Sequence, residues 1–205
     1  LNRHLRTCGI FFLTLLFSLP LGMVVMLLRR CRFKVISGIV KVYIAIMRGT
    51  PLMLQLLVWY FGPYYLWGAN IRGYRFIAII IGFTLNYAAY FAEIYRGGIL
   101  SVPKGQYEAA KVLGFTKAQT FVRIILPQVV KKILPAMGNE VITLVKDTAL
   151  VQVLGVAELF HVAQTQSGRL VSVMPLFIAG VFYFMMNWAV SRFFDFAEAR
   201  LGYYD

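Results

Sequence analysis

Carboxylates are scarce in this sequence. It has 8 Asp and Glu among 205 residues, and charged residues of every kind make up 14%. A soluble domain carries about 25% charged side chains, so this composition cannot cover an ordinary globular surface. A disordered chain is excluded too, because it needs many charges and few apolar groups. Cysteine and histidine are equally sparse, with Cys8 and Cys31, His4 and His161. If the run between the cysteines is a helix, its length of about 34 Å at ~1.5 Å per residue puts them beyond disulfide reach. Four such groups in distant segments make no metal site. There is no G-x-x-x-x-G-K-[ST], so ATP must be hydrolysed elsewhere. Neither G-x-S-x-G nor H-E-x-x-H occurs.

What the sequence has is apolar length. Hydrophobic residues reach 60% and mean hydropathy is +0.72. Runs of roughly 20 residues, enough to cross a hydrocarbon core of ~30 Å, account for this. The run at 10–28 is too long for a signal peptide, and its basic cluster, Arg29, Arg30, Arg32 and Lys34, follows it instead of preceding it. It reads as a membrane span. The next run, 35–47, is short and holds Lys41, which fits an interfacial or re-entrant helix with a snorkelling lysine. Thr50 suits an N-cap and Pro51 the first helical position, so a second span is expected at 51–66. One long helix kinked at Pro51 is the alternative. Further spans are expected at 76–95, 133–157 and 174–194. Tyr60, Tyr64, Tyr65 and Trp67 read as an outer aromatic belt. His161 reads as an ordinary surface histidine.

The expectation is thus an all-α integral membrane protein, a single domain over 1–205 with five transmembrane helices. Orientation follows from charge. The formal net charge is +13. If the N-terminus is outside and the C-terminus cytoplasmic, inner segments hold 15 of the 21 Lys and Arg and outer segments hold 5. That split satisfies the positive-inside rule. It also excludes nucleic-acid binding as the meaning of the charge, since the basic residues alternate with spans. The sequence opens on Leu1, not Met, so the natural chain is expected to begin upstream.

The inner segment 96–132 carries the sharpest motif. Pro103 and Gly105 punctuate its start, and Glu108 to Leu113 are good helix formers. Gly114 suits the left-handed position that ends a helix. Thr116 and Gln119 form a capping-box pattern that starts another. Two short helices with a glycine joint result, a knob shaped for a groove on another protein. The residues alone fit an amphipathic surface helix equally well.

The spacing Glu108-Ala109-Ala110-x3-Gly114-x9-Ile124-x-Leu126-Pro127 resembles the EAA loop of ABC-importer permeases. Other blocks are similar to the polar amino-acid (histidine/glutamine/arginine-type) branch of that family. They are Arg48-Gly49-Thr50-Pro51, Ala92-Glu93-Ile94-Tyr95-Arg96-Gly97-Gly98-Ile99, Leu126-Pro127-Gln128, Gly138-Asn139-Glu140, Lys146-Asp147-Thr148 and Gly155-Val156-Ala157-Glu158-Leu159. The resemblance implies a type I importer fold in a bacterial inner membrane. It implies two permease subunits, identical or sister chains, and two ATPase subunits that carry the ATP and Mg. It also implies an extracytoplasmic substrate-binding protein and a polar amino-acid substrate. This chain itself would hold no cofactor. Glu108, Ala109, Ala110, Gly114 and Phe115 would couple to the ATPase.

Polar stripes cross two of the spans. Asn86, Tyr90 and Glu93 share one helical face, and Glu140, Thr143 and Asp147 share another, with Asn139 and Lys146 beside them. Charged groups at bilayer depth cost several kcal/mol unless they face protein or water. Asn86, Glu140, Thr143, Lys146 and Asp147 are therefore candidates for a substrate pathway, with both signs of charge available for a zwitterion. Pairing between helices is the structural alternative, and Glu93 is expected to pair with Arg96. A channel is poorly supported because no filter-like sequence occurs. An intramembrane enzyme using Glu140 and Asp147 would lack any partnered nucleophile.

Overall fold

The computed structural model describes residues 4–68, 73–156 and 158–201. Nine α-helices account for nearly all of them, and no strand occurs among the described residues. In chain order they are α1 (His4–Arg29), α2 (Lys34–Gly49), α3 (Leu52–Trp67), α4 (Tyr74–Leu100), α5 (Lys104–Val112), α6 (Lys117–Thr120), α7 (Leu126–Asp147), α8 (Leu159–Leu170) and α9 (Met174–Leu201). Among the described residues three stretches are long and apolar enough to cross a membrane: Thr7–Arg29, Tyr74–Leu100 and Met174–Leu201. The pair α2 and α3 qualifies only jointly, and it is bent by 112° at the break.

α4 is the central helix. α1 packs along it, and α2, α3 and α7 contact it from other sides. Close approach of α1 depends on small residues on its contact face. Thr7, Thr14 and Ser18 are fully or almost fully buried, at i, i+7 and i+11. At Gly22, one turn on, a Cβ would sit 2.9 Å from the Phe91 Cβ and 3.1 Å from the Ala88 carbonyl oxygen. This is the small-residue packing by which membrane helices approach one another without a hydrophobic driving force. α7 meets α4 in the same way at Gly98, where a Cβ would lie 2.2 Å from Ile133 Cγ2. α9 packs outside, on α7 and α8.

The break between α2 and α3 falls where the sequence places it, but its caps differ. Thr50 closes α2 instead of opening α3: its hydroxyl donates to the Ile46 carbonyl at 2.8 Å. Pro51, in extended conformation, is the N-cap of α3. The residue before a proline is disfavoured in the helical region, so Thr50 must leave α2 there, and its hydroxyl is spent on the α2 carbonyl instead of on an N–H of α3.

The fourth expected span also differs. Its helix begins at Leu126, not 133, and ends at Asp147, after which Thr148–Leu154 tightens into 3₁₀ turns. Thr148 donates its hydroxyl to the Val145 carbonyl at 2.7 Å, and Gly155 adopts φ +66. Upstream, Phe121–Ile125 forms a wide π turn between α6 and α7. It precedes Pro127, which withholds an N–H and whose ring would crowd the carbonyl of Arg123. α4 likewise continues to Leu100, five residues beyond the expected end. Beyond the 3₁₀ turns, Glu158 is fully buried and caps α8. Its carboxylate accepts from the backbone N–H groups of Phe160 (2.7 Å) and His161 (2.6 Å) and from the Tyr183 hydroxyl (3.0 Å).

Candidate functional site: a polar cleft and a coupling loop

The α2–α3 corner, α4 and α7 enclose a cleft of about 360 Å³. Thr50, Pro51 and Leu52 line it from the corner, Asn86, Tyr87 and Tyr90 from α4, Glu140, Thr143 and Asp147 from α7, and Leu150 from the 3₁₀ turns. Two helical faces chosen from sequence periodicity therefore meet across one cavity. Four of the five residues expected on a pathway line it, and Lys146 does not. Lys146 occupies the last turn of α7 with its side chain exposed, so it does not provide the expected positive charge in the cleft.

Asn86 is buried and already engaged. Its amide donates to the Met47 carbonyl at 2.9 Å and to Gln55 Oε1 at 3.0 Å. Gln55 in turn donates to the Met47 and Thr50 carbonyls and to the Thr50 hydroxyl. The bend leaves α2 carbonyls without helical partners, and these two side chains supply donors in their place. Asn86 thus pins the corner to α4 and contributes one edge of the cleft.

Tyr87 was not singled out by sequence periodicity. Its hydroxyl donates to Asp147 Oδ2 at 2.7 Å, joining α4 to α7 across the cavity wall. Its signal was indirect: a tyrosine expected inside a bundle needs a partner for its hydroxyl. The other carboxylate, Glu140, is half-buried and faces the same space. Thr143 spends its hydroxyl proton on the Asn139 carbonyl at 2.9 Å. Among the described residues the lining contains two carboxylates and no Lys or Arg. The cation held against a lining side chain is Arg48, whose guanidinium carbon lies 5.3 Å from the Tyr90 ring centroid.

Glu93, on the same stripe of α4, is held by more than a simple pair. Arg96 donates to its carboxylate from Nε at 3.1 Å and Nη2 at 2.8 Å. Arg29 from the end of α1 also contacts it, and Arg48 from the end of α2 lies 4.0 Å away. The expected pairing with Arg96 is present within a four-membered cluster.

The loop after α4 folds as two short helices with a glycine joint. Gly114 has φ +77, a conformation that side chains with a Cβ rarely adopt. The Phe115 N–H donates to the Ala110 carbonyl at 3.0 Å, closing α5. The capping box is complete: Gln119 N–H donates to Thr116 Oγ1, and Thr116 N–H donates to Gln119 Oε1. Glu108 and Ala109 are exposed, whereas Ala110 is buried and Phe115 is half-buried. Ala110 therefore anchors the knob and is not displayed on it. The exposed apolar tip is Val112 and Leu113, 88% and 73% accessible. Their position, as large apolar side chains just before the glycine joint, was the available signal.

The pattern of the family described as "Binding-protein-dependent transport system inner membrane component" matches residues 18–203, and the chain belongs to that family. It is a permease subunit, a transport component and not a catalyst. The L-cystine transport system permease protein TcyB of Bacillus subtilis (strain 168) is 35% identical over 201 residues, which span 97% of this chain and 84% of that protein. The arginine transport system permease protein ArtQ of the same organism is 38% identical over 181 residues, covering 88% and 82%. A solved amino acid ABC transporter crystallised with histidines superposes at TM-score 0.86 and 36% identity, over 97% of this chain and 92% of that one. The methionine transporter MetNI, at TM-score 0.70 and 20% identity, shares the type I fold. ABC importers of this fold combine permease subunits with ATPase subunits, so both belong to its assembly.

Proposed function

We propose that this chain forms half of the translocation pathway of an amino-acid importer in the bacterial cytoplasmic membrane. Spans α1, α3, α4, α7 and α9 cross the bilayer, with the N-terminus outside and the loop 101–125 in the cytoplasm. α2 lies at the cytoplasmic interface. The second half comes from another copy or a sister permease, and an extracytoplasmic binding protein delivers the substrate. ATP and Mg reside on the ATPase, which docks on Glu108, Ala109 and the Val112–Leu113 tip, with Ala110, Gly114 and Phe115 holding that knob in shape.

The observation that carries this reading is the cleft. Two carboxylates from α7, a hydroxyl and an amide face one cavity between helices, where an ammonium or other cationic group of an amino acid would find acceptors. Asp147 sits where α7 gives way to 3₁₀ turns, so a substrate bound there would touch a helix break. Lys146 has no part in the lining, and Arg48 beside Tyr90 is the cation placed to receive a carboxylate at the rim.

Asp147→Asn keeps the shape of the residue and its bond with Tyr87 while removing the charge. Uptake into proteoliposomes, normalised to assembled complex, should fall at least tenfold, with basal ATP hydrolysis retained. Loss of assembled complex would instead make Asp147 a structural residue, and unchanged uptake would remove it from the pathway. Gly114→Val addresses the loop: ATPase co-purification should drop while membrane insertion persists.

A further inference from the structure

Behind the exposed face of α5 lies a second cavity of about 670 Å³, between the ends of α1 and α4 and the α5–α6 hairpin. Arg30, Lys111 and Lys117 line it together with Ile99, Tyr107 and Phe115. Among the described residues no carboxylate lines it. The ion pairs among the described residues all converge on Glu93, so none of these three cations has an anionic partner. All three are exposed, so water and salt moderate their mutual repulsion, and together they offer an anion three donors around one space.

The cavity also has a defined depth. Arg30 follows the last residue of α1, and Ile99 lies in the last turn of α4. Both helices are apolar stretches long enough to cross a bilayer, so the cavity sits where hydrocarbon gives way to headgroups. Its walls combine cations with aliphatic and aromatic surface. That combination fits an amphiphile with an anionic head better than a free anion, which has no use for the apolar floor.

We propose that this cradle holds the headgroup of an anionic phospholipid. Its phosphate meets Arg30, Lys111 and Lys117, and its glycerol and first acyl carbons lie against Ile99, Tyr107 and Phe115. Tyr107 and Lys111 belong to α5, so the lipid supports from behind the helix that carries the ATPase-docking tip. The consequence for coupling rests on the docking role proposed above; the binding itself does not.

The test uses the assembled importer in nanodiscs of phosphatidylglycerol and phosphatidylcholine, with retained lipid counted by native mass spectrometry. The unaltered protein should keep phosphatidylglycerol in preference to phosphatidylcholine. Removing three basic contacts, in Arg30→Gln/Lys111→Gln/Lys117→Gln, should weaken retention by roughly a hundredfold. Lys104→Gln/Arg123→Gln removes two exposed charges outside the cradle and should leave retention intact. Equal retention by the triple variant, equal loss in the control, or no preference between lipids would overturn the proposal. If the triple variant fails to fold, a photoactivatable phosphatidylglycerol on the unaltered protein decides: cross-links at Arg30 or within 99–121 support the site, and cross-links elsewhere overturn it. ATPase co-purification is scored in the same samples. Its absence from the unaltered protein rejects the docking role of α5 and leaves the lipid comparison standing.

Discussion

α4 is 27 residues long and α9 28, and their most apolar 18-residue stretches have mean hydropathies of 1.6 and 1.4, yet 61% of that stretch is buried in α4 against 6% in α9. Hydropathy does not distinguish a helix surrounded by protein from one surrounded by lipid, since both surroundings are apolar. Small residues at the helix contacts do so in part, beside the buried Phe83, Tyr87 and Phe91 of α4. α4 presents Gly82, Ala88, Ala89, Ala92 and Gly98 to its neighbours, all buried. α9 carries Phe177, Phe184, Met185, Trp188, Phe193 and Phe196, all exposed in the single chain. Small residues allow backbones to approach, and large ones fill space against acyl chains or a second subunit.

The sharpest way to break this comparison is to enlarge a glycine in each helix. Gly98→Val places atoms on Ile133 and Val129, and overpacking of this severity should cost about 3 kcal/mol. The thermal midpoint of the detergent-solubilised chain should fall by many degrees, with aggregated material at expression. Gly180→Val in α9 meets nothing within 4 Å and should leave the midpoint within a degree or two. Equal losses at both positions would show that α9 is as tightly held as α4.

A smaller effect separates the polar contacts of α4 from its packing. Asn86→Leu leaves Gln55 Oε1 without its donor and should cost about 1–2 kcal/mol. Limited proteolysis near the α2–α3 corner should accelerate, and Gln55→Leu added to it should cost little more, because the two act as one unit. Additive losses would mean that each side chain holds the corner separately.

The smallest expected effect is at α9. Phe184→Leu should shift stability of the isolated chain by less than about 0.5 kcal/mol. If the same change lowers the midpoint of the assembled importer, that face of α9 meets protein in the complex, and the contrast with α4 narrows.

Much of this was legible in the sequence, for identifiable reasons. The glycine joint at Gly114 and the Thr116–Gln119 box are local, set by chemistry within four residues, and both appear as expected. The faces of α4 and α7 were legible because helical period alone aligns Asn86 with Tyr90, and Glu140 with Thr143 and Asp147. What failed depended on partners distant in sequence. Asn86 and Gln55 are 31 positions apart, and nothing local says that one binds the other's amide oxygen. Tyr87 and Asp147 are 60 apart. Glu158 is an uncommon N-cap, favoured here because Tyr183 supplies a third donor from α9. Lys146 lies within α7 but next to the face that carries Glu140, Thr143 and Asp147, so helical period itself points it away from the cleft.

The cluster around Glu93 has a consequence in the language of helix dipoles. One carboxylate faces three guanidiniums, which leaves two positive charges uncompensated by side chains. Arg29 and Arg48 are, however, the basic residues in the last turns of α1 and α2. Each helix end carries roughly half a negative charge from the aligned peptide dipoles behind it. Those ends supply about one further negative charge, so the remaining excess is near one unit instead of two. The backbone thus acts as a counterion, and it does so only while both helices stay wound to their final residues. Fraying at either end would remove part of that compensation from the other, which couples the order of two helix termini that share no backbone hydrogen bond.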